Sequence, residues 1–204
     1  LGQFYAIGRA VPQDIPKAVE LFELAARQGE VRGALQLSAM AKAGTLDGIM
    51  SPHEAVTWVM IDLTQNDDPQ AEEWLLQQAR AGVRPALLNL GEWYLARKDK
   101  AETGAEFIQQ AALAGSVPAQ FRLGTLLTTG DGIALDYVEA HKWLNIAAAS
   151  GHKEAAETRA VIGDLMTPEQ VAQAQTAART YFDTARSRAP QTDQIVRGAG
   201  TDTP

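Results

Sequence analysis

The sequence predicts an all-α protein, an α-solenoid in which antiparallel helix pairs stack one on the next. One observation is an alanine-rich segment, ending at a glycine, that occurs four times in 204 residues. The other is that a segment with apolar residues at helical spacing precedes it, most clearly in the last copy. The four copies occupy residues 17–29, 73–82, 105–115 and 140–151. A repeat of this length indicates stacked helices that work through an extended surface rather than one catalytic pocket.

The clearest unit spans residues 116–151. Its first helix has one apolar face, formed by Ala119, Leu123, Gly124 and Leu127. Because glycine inside a helix costs about 1 kcal/mol relative to alanine, we expect Gly124 to lie at a close helix crossing. Gly130 suits the left-handed position that ends this helix, and Asp136 is placed to cap the second helix. The second helix then ends at Gly151.

Two further units show the same order of features. The Leu–Gly–x–x–Leu of residues 123–127 corresponds to Leu–Gly–x–x–Tyr at residues 1–5 and again at residues 90–94. In the first unit, Asp14 corresponds to Asp136 and predicts a second helix cap.

Together these features resemble the Sel1-like repeat: the Leu–Gly–x–x–Tyr pattern, the glycine-containing loop, the aspartate, the Trp or Phe, and the final Ala–Ala–x–x–Gly. This family is related to the tetratricopeptide repeat, and the resemblance covers about residues 1–178. It implies a right-handed superhelix of helix pairs that binds proteins, near signalling and envelope systems in bacteria. The expected units are residues 1–29, 30–82, 83–115 and 116–151, followed by capping helices over 152–186 and a flexible tail over 187–204.

The unit over residues 30–82 is irregular in length. The glycines that end successive copies are 53 residues apart across this unit and only 33 and 36 residues apart across the next two units. The excess of about 17 residues matches one helix and a turn. The sequence predicts helices over 31–42, from Ser51 and from Asp68, with Ser38 where the array prefers glycine. Either a divergent unit has gained or lost a helix, or the irregularity kinks the superhelix or presents a special surface. The helix pairing within residues 44–68 stays open.

Composition excludes several classes of function. A net charge of −7 opposes binding to nucleic acid and anionic lipid. The absence of cysteine excludes disulfides, thiolate catalysis and cysteine-bound zinc. No apolar run is long enough for a transmembrane helix. Because the chain begins within a helix pattern, we expect a fragment or processed product, and the compartment stays open with the bacterial periplasm favoured over the cytoplasm.

Residues that could carry chemistry have simpler structural interpretations, so we expect no metal, no cofactor and no catalysis. The three histidines lack metal-site spacing, and we expect His141 to be a partly exposed packing residue. The acidic pairs at 67–68 and 72–73 lie at a helix start, where carboxylates suit the helix dipole. The glycines at 130 and 132 lack the remainder of a phosphate-binding motif.

If the first helices line the concave face, as the tetratricopeptide analogy implies, the positions offset from the Leu–Gly pair point into a groove. These candidate binding residues are Arg32, Leu35, Lys42, Leu88, Glu92, Phe121 and Thr125. Their mixture of apolar and charged side chains suits an extended peptide or a partner helix. For Phe121 and Leu88, packing against neighbouring helices is an equal alternative. We expect Trp58, Trp74, Phe107 and Trp143 to lie on second helices and form interhelical core.

Three functions follow. The first is a non-enzymatic scaffold or adaptor that binds a protein or peptide in the groove. The second is a structural accessory subunit of a larger bacterial membrane or envelope complex, bound through its edges or tail. The third is a hydrolase of envelope polymers.

Overall fold

The computed structural model describes residues 1–188, and this part of the chain contains eleven α-helices and no β-strand. The helices are α1 (Gly2–Ile7), α2 (Ile15–Arg27), α3 (Val31–Lys42), α4 (Pro52–Asn66), α5 (Pro69–Arg80), α6 (Arg84–Leu95), α7 (Ala101–Leu113), α8 (Val117–Thr129), α9 (Tyr137–Ala149), α10 (Lys153–Gly163) and α11 (Pro168–Arg188). From α1 to α10, each helix packs against the next. The predicted all-α solenoid is confirmed. Of the predicted tail, residues 189–204 lie outside the described residues, and residues 187 and 188 belong to α11.

The predicted helix caps are confirmed. The side chain of Asp14 accepts a hydrogen bond from the backbone N–H of Lys17, and Asp136 accepts two at the start of α9. At the start of α4, Ser51 and Glu54 form a reciprocal capping box. Asp68 caps α5. Local sequence therefore sets where these four helices begin.

Close helix crossings occur where the sequence places glycine. A Cβ atom on Gly124 would lie 2.6 Å from the Cγ atom of Leu144, so α8 and α9 meet with no room for a side chain. Gly91 has the same role between α6 and α7, 2.7 Å from Ile108 by the same measure. Gly130 ends α8 with a φ of 76°, as predicted.

The extra helix of the irregular unit is α4, and it runs in the same direction as α3. Ser38 and Lys42 lie in the C-terminal half of α3, and both donate hydrogen bonds of 2.7 Å to Asp62, near the C-terminus of α4. Antiparallel neighbours would instead bring the C-terminus of one helix to the N-terminus of the other. The two helices are therefore parallel.

Contacts at the N-terminal end of α4 also show that it runs in the direction of the first helices. His53 in the first turn of α4 lines one pocket with Arg84 and Val117, which are the first residues of α6 and α8. Helices α4, α6 and α8 therefore begin at the same end of the array. Because α4 packs against both α3 and α6, it occupies a place between them.

The helices thus form two rows. The first-helix row contains α1, α3, α4, α6, α8 and α10, and the second-helix row contains α2, α5, α7, α9 and α11. The nine residues 43–51 carry the chain back along α3, and buried Leu46 and Met50 anchor them. Residues 43–49 form consecutive turns along this path.

The aromatic residues follow this arrangement with one correction. Trp143 on α9 is buried, and Trp74 on α5 and Phe107 on α7 are half-buried against the core. Trp58 also packs against the core. However, it belongs to α4 in the first-helix row, so its assignment to a second helix was wrong.

Candidate functional site

The first-helix face is the side of α6 and α8 that carries Leu88, Glu92, Phe121 and Thr125. Leu88 and Glu92 are four residues apart on α6, as are Phe121 and Thr125 on α8, so each pair lies on one side of its helix. All four side chains are half-buried. They are therefore placed where a partner could contact them without unfolding the array.

An ion pair joins the two helices on this face. The Nε atom of Arg122 lies 2.8 Å and 3.1 Å from the two carboxylate oxygens of Glu92. Both side chains keep about a third or more of their surface exposed, so the pair contributes at most about 1 kcal/mol to stability. Its main effect is to neutralise two charges and fix them beside Phe121.

A pocket of about 370 Å³ opens at the end of the array where α4, α6 and α8 begin. Leu88, Val117 and Pro118 supply apolar surface, and His53 and Asn89 supply polar groups. The sequence interpretation found Leu88 and missed the others. His53 in particular reaches this pocket only because α4 is inserted parallel to α6, which no local pattern encodes.

Phe121 both packs against a neighbouring unit and keeps part of its side chain exposed, which were the two alternatives for this residue from the sequence. Its ring stacks on the imidazole of His152, with centroids 4.2 Å apart and planes 21° from parallel. His152 is itself the N-cap of α10, because its Nδ1 accepts a hydrogen bond from the backbone of Ala155. One face of the phenyl ring is thus used in packing between units, while the side chain stays partly exposed. The Thr125 hydroxyl donates to the Phe121 carbonyl oxygen at 3.1 Å.

The three candidates on α3 are not brought together with those on α6 and α8, because α4 lies between. Arg32 is exposed in the first turn of α3 and Leu35 is half-buried. Lys42 is directed into the junction of α3, α4 and α5, where its ammonium group forms ion pairs with Asp62 and Asp68. It is therefore engaged within the protein rather than presented beside Glu92.

This polar junction holds the extra helix in place. Asp62 accepts hydrogen bonds from Ser38, Lys42 and Asn66 and is only 7% exposed. Burial alone would raise the pKa of Asp62, but the hydrogen bonds outweigh it and hold the pKa below its usual value. The pKa of Lys42 is raised, because its two carboxylate partners outweigh the effect of burial. Ser38 thus binds α4 where other units have a glycine.

The clustered acids also have structural partners. Asp67 binds Arg97 at 2.9 Å, and Glu72 accepts a 2.5 Å hydrogen bond from the Tyr94 hydroxyl. Within residues 1–188, no three His, Asp or Glu side chains come together in an arrangement that could hold a metal ion. None of the helices in that part of the chain combines the length and apolar character needed to cross a bilayer.

His141 corrects one expectation. The sequence predicted a partly exposed packing residue, but the side chain is 5% exposed. It lines a cavity between α9, α10 and α11. The last helix returns over α9 to form this cavity, and that long-range packing is invisible in the local sequence.

Comparison with a family model gives matches to the Sel1 repeat at residues 1–30 and 117–152. Among solved structures, a protective antigen from uropathogenic Escherichia coli that displays an SLR fold aligns with a TM-score of 0.54 and 23% sequence identity. That alignment covers 100% of this chain and 49% of the antigen chain. It shows that the two share a fold.

Two curated relatives carry the same name, exopolysaccharide production negative regulator. The protein of Rhizobium meliloti (strain 1021) is 27% identical over 153 residues, covering 67% of this chain and 51% of that protein. The protein of Rhizobium leguminosarum bv. viciae is 29% identical over 170 residues, covering 75% and 56%. The chain spans about half the length of the curated relatives it matches.

Proposed function

We propose that the chain, which matches the Sel1 repeat model at residues 1–30 and 117–152, is a non-enzymatic scaffold that binds a protein or peptide on its first-helix face. The observation that carries this proposal is the pocket of about 370 Å³ to which three parallel first helices contribute. Surfaces built by several successive repeats suit extended partners.

The pocket's composition supports a peptide as the occupant. Leu88, Val117 and Pro118 provide an apolar floor for a partner side chain, and His53 and Asn89 provide polar groups that would orient it. The Glu92–Arg122 pair and the exposed part of Phe121 continue the surface beyond the pocket. A side chain anchored in a pocket, with mixed contacts along a groove, is a common mode of peptide recognition.

We further propose that the partner takes part in the control of exopolysaccharide production in a bacterium. The names of the two relatives support this, since the matched segment covers most of this chain. An adaptor could repress production by holding a regulatory protein in an inactive complex. The partner is therefore expected to be a protein of that control system rather than the polysaccharide itself.

The test compares two matched double variants in the native bacterium. Leu88→Ala with Phe121→Ala alters the first-helix face, and Leu24→Ala with Leu113→Ala removes two exposed leucines from second helices. Each is expressed from the chromosome, affinity-purified and analysed by quantitative mass spectrometry. We expect at least one partner to fall tenfold or more with the face variant and to stay unchanged with the control.

Secreted exopolysaccharide is measured in the same strains. We expect it to rise in the face variant as it does in a deletion strain. If deletion leaves production unchanged, the proposed process is refuted even when a partner is found. If the face variant retains every partner while its helicity by circular dichroism is normal, the binding assignment is refuted.

An accessory subunit of a larger envelope complex is the second candidate. It is favoured if partner capture survives the face variant and is lost either with the second-helix control or with a chain that ends at Ser187. A hydrolase of envelope polymers receives no support from the acids at 67, 68 and 72, which are engaged in caps and ion pairs.

A further inference from the structure

The last two described helices border a cavity that is open to solvent instead of packing together. In the pairs α6–α7 and α8–α9, the two consecutive helices form a direct interface. Within residues 1–188, the principal packing of both α10 and α11 is against α9 rather than against each other. The space between these three helices is a cavity of about 740 Å³, within the size range of sites for small molecules.

Basic and amide side chains line the cavity together with apolar ones such as Val171 and Phe182, and Arg179 and Gln175 reach it from the exposed surface. Arg159 of α10 and Arg179 of α11 line it from two sides, together with Asn145 of α9 and Gln175 of α11. Asn145 accepts a hydrogen bond of 2.5 Å from Arg159 through its side-chain oxygen. This bond orients the guanidinium group and leaves most of its N–H donors free for another acceptor.

His141 gives a second, independent sign of a ligand. The residue lines the cavity and is 5% exposed, and its Nδ1 has no hydrogen-bond partner among the described residues. Buried polar atoms in native proteins are nearly always paired, and leaving one unpaired costs free energy. Burial, and then the positive charge of Arg159, lower the pKa of His141. The ring is therefore neutral at pH 7 and offers one N–H donor.

We propose that this cavity binds a small molecule through an oxyanion group, either a carboxylate or a phosphate. Arg159 and Arg179 supply the cationic donors, because guanidinium groups match the geometry of both anions. His141 and Asn145 supply neutral polar contacts at the wall. Asp164 is the acidic residue of the lining, so the anionic group belongs at the arginine side. The lining residues differ from those of the pocket on the first-helix face, so this proposal stands apart from the proposed function.

The test follows the ring proton signals of the three histidines by NMR at pH 7. Inorganic phosphate and citrate are titrated separately into the full chain, with sodium chloride adjusted to keep the ionic strength constant. The His141 signal is assigned from its loss in His141→Gln. We expect a saturable shift of the His141 signal with at least one anion, while exposed His53 stays unchanged. The tighter-binding anion shows whether the natural ligand carries phosphate or carboxylate.

Matched arginine variants decide whether the cavity is the site. Arg159→Gln and Arg179→Gln are each expected to weaken binding tenfold or more, and Arg186→Gln, an exposed change on the same last helix, to stay within twofold. Arg159→Lys, which keeps the charge, guards against a folding defect and is expected to bind better than Arg159→Gln. The proposal is overturned if neither anion shifts His141 saturably, or if Arg186→Gln weakens binding as much as the cavity variants.

Discussion

Replacing Asp62 tests the polar junction that ties α4 to α3 and α5. The carboxylate is 7% exposed and accepts hydrogen bonds from Ser38, Lys42 and Asn66. Asp62→Ala removes every acceptor at once. Asp62→Asn keeps the shape but removes the charge and puts an N–H₂ group where a donor already points.

The expected magnitude follows from what each change leaves behind. Breaking a buried ion pair by removing one partner costs about 3–5 kcal/mol, because the other charge is then left unpaired. Here Lys42 keeps its second carboxylate partner, Asp68. We therefore expect Asp62→Ala to lower the free energy of unfolding by about 2–3 kcal/mol and Asp62→Asn by about 1–2 kcal/mol.

The assay is urea denaturation, combined with hydrogen exchange of the α4 amides because repeat arrays need not unfold in one step. Since the pKa of Asp62 is lowered in the folded state, its contribution is complete from about pH 5 upward and is lost as the pH falls through the folded pKa. The difference between wild type and Asp62→Asn should therefore shrink in acid. Asp99→Asn, an exposed change, is the control. A loss no larger than that of the control at pH 7 would refute the reasoning.

Three further predictions concern local features. Gly124→Ala should destabilise the protein by about 1–2 kcal/mol, because its Cβ would lie 2.6 Å from the Cγ atom of Leu144. Gly163→Ala is the control, because the space around its new Cβ is open. The urea midpoint of the control should be unchanged or higher. Ser51→Ala should cost about 1 kcal/mol by thermal unfolding through loss of the capping box, and equal stability would contradict it. Burial, and then the hydrogen bond to Glu72, raise the pKa of Tyr94. In an alkaline titration followed by phenolate absorbance, Tyr94→Phe should therefore remove the step at the highest pH. An unchanged titration curve would argue against this environment for Tyr94.

Helix ends and close crossings were predictable because their causes lie within a few residues. The caps at Asp14, Ser51, Asp68 and Asp136 and the tight approach at Gly124 depend on backbone donors and glycine geometry that the local sequence specifies. Such features fix the scaffold without reference to distant parts of the chain.

The direction of α4 was not predictable, because it depends on contacts made across the fold. Lys42 reads locally as a basic residue at the end of a helix, and only its pairing with Asp62 shows that α3 and α4 end together. The burial of His141 has a similar origin, since the cavity it lines includes α11. Leu88 was a candidate from the sequence and lines the pocket on the first-helix face, whereas nothing in the sequence indicated that His53 would line it too.

The position of α4 has a geometric consequence for any partner that lies along the array. The first-helix row contains one helix more than the second-helix row, and packed helices lie about 8–10 Å apart. At α4, the first-helix row is therefore longer than the second-helix row by about one interhelical spacing. The extra helix widens the surface between α3 and α6. A straight peptide that follows α6 and α8 would diverge from α1 and α3, so a partner in contact with both segments must bend or consist of two binding elements.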